Sequence, residues 1–358
     1  MKRLSLLITM FVLAISQLSA QDNSNTGTIT LSHKGKETNF AYNKMGDAVE
    51  AAADGDTIYL SNGEFEGDFR LTKKIAFIGS GAESNNGTGS YTHYNSGNIV
   101  IAIPEGTKLS ARLFDGICFD NSNSITFQTT IENVIFRKCR TPWNINVNKS
   151  IESLYFDRCY INGNQSSSIK KVVARNCKIG SLSMSGSDYN EVATNWQFIH
   201  CTIELNTHGW TDDKGNYQNY CPLQGIYTNC IIANYNDTEA YELYNPSGSE
   251  VLTAAYINCL FYKPAEGKDI FNGATTQNNL FYDVSNVKDN WQNRIQNLTK
   301  EQLQEKKYLG NDGTVVGCYG GKNPYTLKPN IPIVSSSKVH LDRTKKQIQI
   351  NIKLSSQQ

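Results

Sequence analysis

One hydrophobic pattern returns six times between Val134 and Phe261. Its copies are Val134-Ile-Phe136-Arg-Lys-Cys139, Leu154-Tyr-Phe156-Asp-Arg-Cys159, Val172-Val-Ala174-Arg-Asn-Cys177, Trp196-Gln-Phe198-Ile-His-Cys201, Gly225-Ile-Tyr227-Thr-Asn-Cys230 and Ala254-Ala-Tyr256-Ile-Asn-Cys259. Two residues beyond the cysteine stand Thr141, Ile161, Ile179, Ile203, Ile232 and Phe261. Apolar and other positions alternate before the cysteine and again after it, which predicts two short strands. The alternation loses phase just before the cysteine, so a tight bend is expected there. Asn176, Asn229 and Asn258 suit that bend, because asparagine tolerates left-handed backbone angles better than most residues.

A unit of this kind cannot bury its own apolar face. Repetition at a period of roughly 20–50 residues predicts stacked units, with strands about 4.8 Å apart. Stacking would align the cysteines in one buried column and the bend residues in another. A further copy, Asn278-Asn279-Leu-Phe-Tyr282, puts Asn279 in the cysteine position, and Ile117-Cys-Phe119-Asp-Asn121-Ser122 is expected to put Ser122 there. Ile75-Ala-Phe77-Ile-Gly79-Ser80 fits with Gly79 at the bend, and Ile99-Val-Ile101 supplies another strand. About ten coils are expected, a rod on the order of 45–50 Å long. The three coils bounded by Cys177, Cys201, Cys230 and Cys259 are the longest. Their excess residues should protrude side by side.

A stack of strands has two open ends that invite association. At the first, Lys44 to Ala53 has a helical pattern with Met45, Ala48, Val49 and Ala52 on one side; it stops at Asp54-Gly55, and Thr57-Ile-Tyr-Leu60 begins the first coil. At the other, Thr299-Lys-Glu-Gln302 reads as a capping box. A glycine-rich stretch, Gly310 to Gly321, is expected to close that end. Alternation through Val334 to Leu354 predicts a terminal hairpin laid over it. The fold expected is all-β: a right-handed parallel β-helix of about ten coils, with an N-terminal capping helix and a C-terminal strand extension. Residues 1–20, with Lys2, Arg3 and the apolar run Leu4 to Leu18, read as an export signal. The remaining divisions are 21–326 for the helical stack with its caps and 327–358 for the extension.

Removing Lys2 and Arg3 takes the formal charge from +1 to −1, so no nucleic-acid partner is expected. No integral membrane segment is expected after signal removal. Nine cysteines in an exported chain would ordinarily imply disulfides. The count is odd, no C-x-x-C spacing occurs, and six fall on the repeat, so they read as buried packing groups. Cys118, Cys221 and Cys318 lie off that column, and a bridge between two of them is left open.

Asp47-Ala-Val-Glu-Ala-Ala-Ala-Asp-Gly-Asp-Thr-Ile-Tyr-Leu-Ser-Asn-Gly-Glu-Phe65, the rungs ending Asn-Cys-x-Ile, and Asp312-Gly-Thr-Val-Val-Gly-Cys-Tyr-Gly-Gly321 followed by Pro324-Tyr325 together resemble the pectin-lyase-like superfamily of parallel β-helix proteins. They are similar in particular to exported β-helix proteins of Bacteroidetes-type bacteria. The resemblance spans roughly residues 40–330 and implies a fold; the superfamily contains lyases, hydrolases, esterases and proteins of no known reaction. The motifs of its galacturonan hydrolases are not reproduced. Asn206-Thr-His208-Gly-Trp-Thr-Asp212-Asp213 carries fragments in the wrong order on one loop, and Asn293-Arg-Ile-Gln296 lacks their lysine. For a calcium-dependent lyase, Asp157 stands between Arg137 and Arg175 with no second acid to share a metal that takes six to eight oxygens.

Function on a solenoid tends to lie in per-repeat insertions. The longest coils carry Trp210, Asp212, Asp213, Tyr217, Tyr235 and Tyr241, aromatic and acidic side chains suited to stacking on sugar rings and accepting from hydroxyls. These are the candidate substrate-binding residues; no catalytic residue, cofactor or metal is assigned. Arg137, Asp157 and Arg175 would form an outer charge ladder of little energetic weight, and His200 a turn residue. The expected function is glycan binding, to a polysaccharide or cell-surface glycan, by an exported protein in the periplasm, at the surface or secreted, without catalysis. The alternatives are a polysaccharide lyase or glycoside hydrolase with a non-standard site, and a structural, adhesin-like surface component.

Overall fold

The computed structural model describes residues 26–83, 91–107, 109, 113–142, 144–161, 164–166, 169–180, 183–185, 196–205, 210–211, 217–218, 225–234, 254–264, 266–267, 269–271, 273–283, 294–328, 333–342 and 347–355. The expected export signal lies outside them. The chain is predominantly β-strand and builds several parallel sheets, an arrangement compatible with a β-helix.

From Thr57 onward the strands of the first sheet pair in parallel, in sequence order, from Thr57–Leu60 through Ala76–Ile78, Phe114–Asp115, Val134–Arg137, Leu154–Asp157, Val172–Arg175, Gln197–Ile199, Gly225–Thr228 and Ala254–Ile257 to Thr275–Gln277. The segment after each bend joins a second parallel series, which includes Gly63–Glu66, Thr92–Ser96, Cys118–Phe119, Tyr160–Ile161, Lys178–Ile179, Thr202–Leu205, Ile231–Asn234, Leu260–Tyr262 and Leu280–Tyr282. Bridges through Arg140 link Cys118 to Tyr160 within it. A third sheet runs from Phe69–Leu71 to Ser183–Ser185. The repeat reading resolved only the first two series; of the third it found only the strand Ile99-Val-Ile101.

Register places the residue three before the cysteine position, aromatic on every rung but that of Ala174, in one column: Phe77, Phe114, Phe136, Phe156, Ala174, Phe198, Tyr227 and Tyr256. Every member is buried, and neighbouring rings from Phe77 to Phe156 lie 5.3–5.5 Å apart. Phe198, Tyr227 and Tyr256 stack at 4.8 and 5.1 Å. Trp196, buried on the neighbouring column, accepts Ile226 N–H at its carbonyl (2.9 Å), and the rungs after it carry the small Gly225 and Ala254 in that column. Thr276 replaces the aromatic residue at the last rung, where burial ends.

The bend is left-handed wherever the repeat predicts it. Lys138, Arg158, Asn176, His200, Asn229, Asn258 and Asn278 all have φ between 48° and 56°. Since Lys138 and Arg158 adopt it too, the paired strands on either side impose this geometry and asparagine only lowers its cost. From Lys138 to Asn258 each bend N–H still finds a carbonyl on the next rung, as in Arg158 to Arg175 (2.9 Å) and Asn229 to Ile257 (3.0 Å). The cysteine N–H that follows is satisfied differently. Cys159 N–H donates to Sγ of Cys177 (3.4 Å) and Cys201 N–H to Sγ of Cys230 (3.5 Å). At the last rung Cys259 N–H donates to Oδ1 of Asn279, which holds the cysteine position as expected (2.9 Å). The thiols in turn donate to carbonyls, Cys177 to Arg175 (3.2 Å) among them. The column is therefore a hydrogen-bonded one, more than the small apolar filler the sequence implied. All eight described cysteines are free and buried; Cys221 lies outside the described residues, and Cys118 and Cys318 are not bridged.

Two expectations need correction. Phe114 pairs with Phe136 and Arg140 N–H donates to the carbonyl of Ile117, so Ile117, not Ser122, occupies the cysteine position, with Gly116 at the bend. The aromatic in Ile117-Cys-Phe119 mimicked the repeat five residues out of place. The glycine-rich closure, moreover, does not stop at the far end. After helix α2 (Lys300–Glu305), whose Thr299 capping box is formed, the chain runs back along the bends. Asn311 meets Asn229, Cys318 meets Thr202 and Asn176, and the Leu327 carbonyl accepts from Ala82 N–H (3.0 Å).

The opposite end is covered by helix α1 (Met45–Ala51) and by a hairpin the sequence did not reveal, Thr28–His33 with Lys36–Ala41, which pairs antiparallel on Thr57–Leu60. Lys73 Nζ donates to the carbonyls of Glu50 (2.7 Å) and Ala52 (2.6 Å), satisfying the helix end. The terminal hairpin is present as Ile333–Asp342 with Gln347–Ser355. No described helix is long and apolar enough to cross a membrane.

Candidate functional site

Among the sequence-predicted residues, Trp210 and Tyr217 fall on one small antiparallel hairpin, Trp210 opposite Gln218 and Thr211 opposite Tyr217. In sequence it lies between Thr202–Leu205 and Gly225–Thr228. Asp212, Asp213, Tyr235 and Tyr241 lie outside the described residues. The outer ladder has the expected register, Arg137 beside Asp157 beside Arg175, and begins one rung earlier at Asp115. Its first three charges are paired: Arg137 clamps the carboxylate of Asp115 with two bonds (2.9 and 2.5 Å), and Asp157 takes Arg158 (2.8 Å). That pairing makes the strip structural. His200 sits buried at its bend, as read from the sequence, with Nε2 2.9 Å from Oδ2 of Asp312.

A cleft of about 430 Å³ opens instead beside the second sheet, where the returning C-terminal strap leaves it uncovered. One wall is the strip one residue past the cysteine position, Arg140, Tyr160 and Lys178 on successive rungs. The other comes from the strap: Tyr319, Tyr325, Thr326, Leu327 and Lys328, with Ala82 and Glu83. The Arg140 guanidinium lies 5.2 Å from the centre of the Tyr160 ring, a geometry that fixes the cation without neutralising it. Further along the strip Thr202 Oγ1 accepts Cys318 N–H (3.1 Å), so the strap seals that side. Leu327 packs with Ala82 and Cys118 and closes the other.

Burial, with Cys318, Glu83 and Glu301 nearby, pushes the Tyr319 hydroxyl up to about 12, and burial raises Tyr325 further. Both remain O–H donors at neutral pH. The cleft thus offers two lysines, one arginine and three tyrosines, against one acid. Among the described residues no three His, Cys, Asp or Glu side chains are grouped to hold a metal ion. The sequence reading passed over this site because the residue after each cysteine looked merely variable. Its signal was that Arg140, Tyr160 and Lys178 are polar or amphipathic where later rungs have Ile231 and Leu260. Comparison with protein-family models, with curated proteins and with solved structures gives no match to this chain.

The strap that forms the cleft wall is held by a carboxylate. Burial raises the Asp312 pKa, but hydrogen bonds from Thr314 and the His200 contact outweigh it and set it below the ordinary aspartate value of 3.8. A depressed folded pKa gives stability that is present above the unfolded value and lost as pH falls through the folded one. Protection of the 311–321 amides, taken relative to intrinsic exchange at each pH, is accordingly expected to fall below about pH 4, and Asp312→Asn should flatten that local dependence. Asp56, lowered at the N-terminal cap by Ala53 N–H and His33 against its own burial, titrates in the same direction, so the readout must be local.

Proposed function

We propose that the chain is an exported right-handed parallel β-helix of about ten coils, similar to the pectin-lyase-like superfamily, that binds a polysaccharide or cell-surface glycan without catalysing a reaction. The observation that carries this reading is the cleft beside the second sheet, where Tyr160, Tyr319 and Tyr325 line a concave surface with hydrogen-bond donors between them. Flat apolar ring faces with polar tips suit sugars, which present C–H faces and hydroxyls together. The cleft volume lies within the roughly 300–1,000 Å³ range of ligand pockets, enough for a short stretch of a longer chain. The hairpin bearing Trp210 and Tyr217 serves as a second contact on the protruding coils.

A glycan array probed with residues 21–358 tests the reading. Binding is expected, with Tyr160→Ala reducing it about ten-fold or more and Trp210→Ala reducing it less. If Trp210→Ala abolished binding while Tyr160→Ala left it unchanged, the contact would belong to the long coils. A folded protein silent on the whole array would remove the glycan reading.

A further inference from the structure

We infer that the cleft selects an anionic glycan, one whose sugars carry carboxylate or sulfate groups held between Arg140, Lys178 and Lys328. This inference rests on the glycan reading and specifies the chemistry of the same cleft.

Three cationic side chains line one cleft and a single carboxylate, Glu83, lines it with them. Elsewhere cations commonly have acids beside them: Arg137 has Asp115, Arg158 has Asp157, Lys170 has Glu152 at 2.6 Å, and Lys263 has Asp283 at 3.6 Å. Among the described residues no carboxylate forms such a pair with Arg140, Lys178 or Lys328. Arg140 is instead held over the Tyr160 ring, which orients its fork and leaves its N–H donors for another acceptor. Lys178 stands on the adjacent rung, paired in register with Tyr160. Lys328 comes from the strap on the opposite wall, so the positive groups surround the space from both sides.

The remaining polar groups agree in sign. Tyr319 and Tyr325 stay protonated and donate. A neutral sugar would use the aromatic walls but would leave the cations without acceptors. An anionic sugar uses both, and charge-assisted hydrogen bonds are roughly twice as strong as neutral ones. Carboxylate and sulfate present the same oxygen chemistry to this cleft, and the formal charge of the whole chain gives no general attraction to polyanions.

The test compares three polymers of one backbone: dextran, carboxymethyl-dextran and dextran sulfate of equal length, in affinity electrophoresis of residues 21–358. At least one charged polymer is expected to retard the protein while dextran does not, and the stronger of the two identifies the preferred group. Arg140→Gln combined with Lys178→Gln should weaken that retardation about ten-fold or more, and Arg140→Lys should retain most of it. Arg140 is exposed and Lys178 half-buried, and neither has an ion pair among the described residues, so the double variant should keep the parent's circular dichroism and melting temperature. Retardation by dextran equal to that by the charged polymers, no retardation by either charged polymer, or unchanged retardation of the folded double variant would each overturn the anion assignment. None of these touches the glycan reading, which falls only on a silent array.

Discussion

Phe136→Ala is expected to cost about 3–5 kcal/mol of stability, the range for emptying a fully buried aromatic site. Phe136 is fully buried, with Phe114 at 5.3 Å on one side and Phe156 at 5.5 Å on the other. Strands on both neighbouring rungs are tied to it by parallel pairing, so the stack cannot collapse into the space without breaking register. The next rung after Phe156 carries Ala174 at the equivalent position. Urea denaturation gives the global effect. Hydrogen exchange should show the loss centred on 114–115, 134–137 and 154–157, since stacked units interact with nearest neighbours. Tyr59→Ala, on an outward position of the same sheet, should change stability by no more than about 0.5 kcal/mol. Similar effects from the two substitutions would mean the column is not the core.

Asn229 carries the second large effect, through the strap. Its Nδ2 donates to Asn311 Oδ1 (2.9 Å), its Oδ1 accepts from Asn311 N–H (3.1 Å), and its backbone carbonyl accepts from Gly317 N–H (2.8 Å). Its φ is 56°. Asn229→Ala removes both bonds to Asn311 and the 3.2 Å contact of Nδ2 with His200 Nε2, leaves a partly buried N–H of Asn311 without its acceptor, and places a Cβ residue with no compensating amide in the left-handed region. The expected loss is about 2–4 kcal/mol, combining roughly 1–3 for the orphaned group with about 1 for the backbone. Asn229→Gly should recover the backbone part alone. Hydrogen exchange at 310–318 should accelerate in both variants. If glycine restored full stability, the amide would contribute only its conformation.

The first two sheets were legible in the chain because each of their columns repeats a chemical type. Phe136 recurs as Phe156, Phe198 and Tyr227, and the bend before Cys177 recurs before Cys230 and Cys259. The third sheet was obscured because its residues differ in type from coil to coil and follow connections of unequal length. Ile117 was misplaced because a neighbouring Cys118 and Phe119 imitated the motif in another phase. The path of the strap could not be read from Gly310 to Gly321, since glycines mark turns and close approaches without naming a partner. At Gly320 a Cβ would collide with the Val315 carbonyl of its own segment and also stand 2.5 Å from Nδ1 of His200, and this second constraint is visible only when the two distant segments meet. The cleft escaped for the same reason: Arg140 and Lys178 belong to the repeat, but Tyr319, Tyr325 and Lys328 reach it from over a hundred residues away.

The stacking of the rungs is the premise for the cleft, the strap and the proposed ligand alike. Sulfur-anomalous diffraction from crystals of residues 21–358 tests it directly. Cys139, Cys159, Cys177, Cys201, Cys230 and Cys259 are expected to give six peaks in a single row, about 4.8 Å from one to the next. Peaks dispersed through the molecule, or fused in pairs at the roughly 2 Å separation of a disulfide, would contradict the stack and with it the site built on its side.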